Sequence, residues 1–129
     1  MKRRLVVASM LLALVTPAGA TEWVFCSAAD DAASAGILVG MVDVLSIAQA
    51  KVEAGAKKWA TDAEGDARIR IGQAFEDSEK IVVDFTDDDV SSIVASLRLF
   101  KASEGDDYVP GGTLRITGSG AWAVTCSGP

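Results

Sequence analysis

Carboxylates dominate the reactive side chains of this 129-residue chain, which has 18 Asp and Glu and no histidine. They cluster at Asp30/Asp31, Glu76/Asp77/Glu79, Asp87/Asp88/Asp89 and Asp106/Asp107. Paired carboxylates are the machinery of glycoside hydrolysis, one as acid and the other as nucleophile or base. Each cluster here falls in a stretch that reads as a turn or a helix start. Acidic side chains in such places serve capping and solubility. The lack of histidine excludes Ser-His-Asp and Cys-His nucleophile systems and removes the commonest zinc and copper ligand. No Ser-x-x-Lys spacing and neither of the glycine-rich nucleotide loops occurs. Asp62, Glu64 and Asp66 alternate around Gly65, but the EF-hand loop with its terminal glutamate is missing. The expectation is a non-enzymatic protein with no catalytic residues, no metal and no cofactor.

The two cysteines, Cys26 and Cys126, stand near opposite ends of the chain. Their chemistry depends on compartment, and the first residues speak to that. Met1-Lys2-Arg3-Arg4 is a positive head, and Leu5 to Val15 is an uncharged apolar run. Ala18-Gly19-Ala20 puts small residues where a signal peptidase reads. The run has about eleven residues, whereas a spanning helix needs roughly twenty. Residues 1–20 are therefore expected to be a cleaved secretory signal, cut between Ala20 and Thr21, with Ala18 and Ala20 as its recognition positions. Residues 21–129 form one domain, secreted to a periplasm or the exterior and not stably inserted in a membrane. In an oxidising compartment Cys26 and Cys126 pair and join the first strand to the last.

Removing the signal takes Lys2, Arg3 and Arg4 from the 12 basic residues and none of the 18 acidic ones, which leaves a net charge of −9. That field repels nucleic acid and attracts cationic partners. A cationic envelope protein is the expected partner class.

The elements that position these groups read as strands with some helix. Glu22–Ser27 is β-rich, 28–36 reads as a turn, and 37–45 is an apolar buried strand. From Ser46 to Ala63 alanine, lysine and glutamate predict a helix, with Ser46 as cap and Ile47, Ala48, Val52, Ala56 and Trp59 on one face. Arg68–Ile71 alternates as a half-buried strand, 76–79 turns, and Lys80–Phe85 is the next strand. Thr86 followed by Asp87–Asp89 predicts a second, short helix, with Val90, Ile93, Val94 and Leu97 on its apolar face. It gives way to a strand near Leu97. Glu104–Gly112 reads as a loop, and Thr113–Thr117 with Ala121–Cys126 as a hairpin. Arg68, Arg70, Arg98 and Arg115 fall on strands, where they can form cross-strand pairs with carboxylates. The predicted architecture is α+β: a small antiparallel sheet with one or two helices on one face and a disulfide between its terminal strands.

Trp59 is expected to pack the helix on the sheet, and Trp23 and Trp122 to pack in the core, with a sugar-stacking platform as the sharper alternative. Ser119-Gly120-Ala121-Trp122, close to Cys126, resembles the Ser-Gly loop of small periplasmic lysozyme inhibitors. The likeness covers four of 129 residues. It implies an acidic, disulfide-linked β-protein that engages a cationic lysozyme, with Ser119, Gly120 and Trp122 as binding residues. A binding or envelope-associated role is thus expected first, a lysozyme-inhibitor-like protein or a carboxylate enzyme acting on envelope polysaccharide second.

Overall fold

The computed structural model describes residues 21–40 and 44–128. The signal and its recognition positions Ala18 and Ala20, with residues 41–43 of the expected second strand, lie outside the described residues. Strand β1 is Thr21–Ser27. The others are β2 (Ala33–Gly40), β3 (Ser46–Ala54), β4 (Lys57–Ala60), β5 (Arg70–Glu76), β6 (Lys80–Thr86), β7 (Ile93–Glu104), β8 (Asp107–Ile116) and β9 (Gly120–Ser127). The described residues contain no α-helix, only short 3-10 turns at Ala29–Asp31 and Gly65–Ala67.

The expected α+β class is therefore wrong, and local alternation explains why. In β3, Ala50, Val52 and Ala54 alternate with Gln49, Lys51 and Glu53, and the first two are fully buried. Tertiary burial of that period-two face overrides the helix propensity of Ala, Lys and Glu. Gly55, a defect in a helix, instead has φ 58° in the two-residue turn between Ala54 and Lys57. A positive φ at the first loop position suits a tight hairpin of the primed type. Gly105 repeats the device between Glu104 and Asp107 with φ 59°.

The second predicted helix fails for the same reason. Ala95, Leu97 and Leu99 point inward while Ser96, Arg98 and Phe100 point outward, so β7 begins at Ile93. Thr86 closes β6 rather than capping a helix. The supposed loop 104–112 is mostly strand, since β8 starts at Asp107 and pairs with β7 from there to Ile116. Pro110 is tolerated because Lys101, opposite it, sends its N–H to the Glu79 carbonyl, so this pair exchanges no ladder bond. The first turn is shorter than expected, since β2 already begins at Ala33.

The nine strands form one antiparallel sheet in the order β4-β3-β2-β1-β9-β8-β7-β6-β5. It is a single meander with its chain ends in the middle, where β1 meets β9. The sheet curls into a half-barrel whose concave side holds the core. Small residues (Ala33, Ala35, Ala50) come from one wall, and large ones (Phe85, Leu97, Leu99, Leu114) from the other. An odd number of alternating strands leaves both edge strands running the same way, so the edges can meet only in parallel. They do so at one bridge, Ala60 beside Arg68, with Ile69 N–H donating to the Ala60 carbonyl over 3.1 Å.

Candidate functional site

Cys26 and Cys126 are bonded, with an S–S distance of 2.04 Å, across the β1–β9 pair. The link between terminal strands is as expected, and it removes both thiols from chemistry.

The three residues carried by the lysozyme-inhibitor likeness do come together. The β8–β9 turn, held by Ser119 N–H donating to the Ile116 carbonyl at 3.0 Å, sits at one mouth of the half-barrel. Ser119 and Trp122 line an open cleft of about 450 Å³ there, with Gly118, Ala32, the β3–β4 turn and Lys57. Gly120 is not free to vary, because a Cβ there would come within 2.9 Å of the Trp122 ring. Lys57, the first residue of β4, contributes to this mouth. A second cleft of about 440 Å³ lies in the seam below the parallel bridge. Ile47, Ile69, Ile71 and Val90 form its apolar part, with Arg68 and Arg70 at its rim. Neither lining includes a carboxylate.

The acidic clusters stand on turns at the two ends. Asp30/Asp31 and Asp87–Asp89 follow the ends of β1 and β6, which run the same way, Glu76–Glu79 and Glu104–Asp107 lie at the opposite end, and Asp62/Glu64/Asp66 follow β4 in its link to β5. Hydrogen bonds show what two of them do. Asp87 Oδ2 accepts the hydroxyls of Ser91 and Ser92 at 2.7 and 2.8 Å, and Oδ1 accepts the Ser91 N–H at 2.7 Å. Those hydroxyls, then that N–H, hold its pKa down at about 2. Asp77 accepts N–H groups of Glu79 and Lys80 at 2.8 Å each, and these lower its pKa. Both carboxylates organise turns and are held as anions, the reverse of the raised pKa a general acid needs. Among the described residues no group of three or more Asp, Glu or Cys is arranged to hold a metal.

The arginines find partners across strands and loops. Arg98 donates to Asp84 at 2.8 Å and Arg70 to Asp88 at 2.8 Å, while Arg115 donates to the Ser96 hydroxyl at 3.3 Å. Arg68 stands 3.9 Å from Asp88.

The tryptophans divide differently from the expectation. Trp59, on β4, and Trp122 pack partly buried against the core. Trp23 is on the convex face, its ring 5.4 Å from that of Phe25 and nearly parallel at 12°. Phe25 lies over Gly36, where a Cβ would meet its ring at 3.0 Å. Lys51 Nζ sits 5.5 Å from the Trp23 ring centre. This aromatic pair was missed, although Val24 and Cys26 pointing inward sends Trp23 and Phe25 outward by period two.

Fold and surface thus define an acidic, disulfide-closed, all-β half-barrel with aromatic side chains on its convex face. Comparison with protein families, characterised proteins and solved structures finds no match for this chain.

Proposed function

We propose that the protein is an exported, non-catalytic binding domain whose partner is a cationic protein. The observation that carries this reading is the placement of acidic clusters on turns at both ends, with no carboxylate in the lining of either cleft. Carboxylates presented this way make a surface potential for a basic partner. A glycoside hydrolase needs two carboxylates about 5–9 Å apart at its substrate, and the linings of these two clefts hold none, which favours the binding reading. The disulfide suits an oxidising compartment and supports export.

The sharper form of the reading is lysozyme inhibition through the Ser119–Gly120 turn, and the exposed position of that turn beside Trp122 favours it. The test is calorimetric titration of the oxidised 21–129 protein against basic proteins, c-type and g-type lysozymes and a cytochrome c. It is run at about 0.05 M and about 0.3 M salt, where screening differs. The expected result is micromolar or tighter binding that weakens with salt. Absence of heat with every basic protein at low salt overturns the reading. Binding without inhibition of any lysozyme removes the sharper form alone.

A further inference from the structure

We propose that residues 101–110, a hairpin arm formed by the ends of β7 and β8, are the element that docks into a basic protein surface with an apolar groove. This rests on the acidic-binding reading above and names the surface that does the binding.

The arm is defined by pairing. β6 accompanies β7 only as far as Phe100, opposite Lys80, and β9 accompanies β8 only from Gly111, opposite Thr125. Beyond these points Lys101, opposite Pro110, keeps one backbone bond to the Glu79 carbonyl, and Ala102–Val109, Ser103–Tyr108 and Glu104–Asp107 pair only with each other. Two strands therefore project past the sheet. A two-stranded hairpin has little interior of its own.

Its side chains are not those of a solvated hairpin. Val109 is 62% exposed, Tyr108 48%, and Phe100 at the root 68%. Leu99 is buried on the concave side, so Phe100 points outward; Val109, opposite Ala102, shares that convex face. Tyr108 is on the other face. Apolar groups thus flank the arm on both sides, as suits insertion into a groove rather than contact on one face. The convex stripe continues towards Phe25, 54% exposed, which pairs with the small Ser127.

The charge of the tip selects the partner. Glu104, Asp106 and Asp107 surround Gly105, and the one cation on the arm, Lys101, is paired at its base with Glu76 at 2.8 Å. An acidic tip between apolar flanks is repelled by nucleic acid and by anionic lipid and attracted by a basic rim. In this arrangement the tip sets encounter and orientation, and Phe100, Val109 and Tyr108 supply the buried contact.

The experiment compares two triple variants in the titration described above. One is Glu104→Gln/Asp106→Asn/Asp107→Asn in the arm. The other is Asp30→Asn/Asp31→Asn/Asp89→Asn, on the turns after β1 and β6 at the opposite end, which removes the same charge. A third variant, Phe100→Ser/Val109→Ser, removes exposed apolar groups, and thermal melts establish that each variant is folded. We expect the arm triple and the apolar double each to weaken binding to the basic probe about tenfold or more, with the distal triple within about threefold of wild type. Equal effects of the two triples, or full affinity of the apolar double, overturn the arm while leaving the acidic-binding reading intact. Binding of wild type to anionic vesicles in preference to basic protein also overturns it.

Discussion

Cys26 stands directly opposite Cys126 in the β1–β9 ladder, with their Cα atoms 4.0 Å apart. That ladder is the weakest seam within the sheet. It has three residue pairs, against ten between β7 and β8, yet apart from the single Ala60–Arg68 bridge it alone joins the first four strands to the last five. The disulfide is the central pair of those three.

Loss of the disulfide should therefore separate the two halves of the sheet. The bond closes a loop with a sequence separation of 100. Constraint of the unfolded chain by such a loop is worth about 4 kcal/mol in the chain-entropy model. We expect Cys26→Ser/Cys126→Ser, or reduction, to lower the melting temperature steeply or to leave no cooperative transition. Thermal circular dichroism with and without reductant measures this.

Gly112 faces Leu99 on β7, and a Cβ built there overlaps the Arg98 carbonyl oxygen. A side chain at this position has to push β7 and β8 apart in the middle of the longest ladder. Gly112→Ala should destabilise by about 1–3 kcal/mol, the range for overpacking. Gly111→Ala is the milder comparison, because its Cβ would come no closer than 3.2 Å to the Val124 carbonyl oxygen. Urea unfolding of both variants is the check.

Val90 carries φ 57° and is 59% exposed. A β-branched residue in the left-handed region is strained, and so little burial offsets the strain here. Val90→Asn should raise stability by about 1 kcal/mol without altering the loop. A lower urea midpoint in that variant would show that the side chain earns its place in the seam cleft.

Asp87 gives the same loop a pH dependence. Its pKa is lowered from 3.8 to about 2 by the hydroxyls of Ser91 and Ser92, then by the Ser91 N–H. A depressed carboxylate pKa contributes stability that is fully present above the unfolded value and disappears as pH falls through the folded one. The loop 87–92 should hold at neutral pH and loosen between about pH 4 and pH 2. Asp87→Asn should abolish this dependence, and amide exchange of Ser91 and Ser92 against pH reads it directly.

Much of the strand pattern was legible along the chain. Lys80–Phe85, the β8–β9 hairpin and the first strand follow from short-range alternation and glycine-marked turns, and each lies close to where it was expected. The disulfide was expected from a count of two cysteines and from the basic head and apolar run that open the sequence. The sites were less legible. Ser119, Gly120 and Trp122 are neighbours in sequence, so their proximity at the mouth was local information. Lys57 reached the same mouth only because β3 and β4 form a hairpin.

The sequence by itself determined composition, acidity, the absence of histidine chemistry, the cysteine pairing and the turns at 76–79 and 117–120, because these depend on residue type or on a few adjacent residues. Only the tertiary structure decided that 46–60 and 86–97 are not helical. In 46–60 helix-forming residues overlie a buried alternation, and propensity of a few tenths of a kcal/mol per residue yields to the burial of a whole face; in 86–97 the acidic run closes the Asp87–Ser92 loop and the apolar residues from Ile93 onward alternate in β7. The tertiary structure also decided the arm. Residues 101–110 project because pairing with β6 stops at Phe100 and pairing with β9 stops at Gly111, and where a neighbour's pairing stops is a property that no single stretch of chain contains.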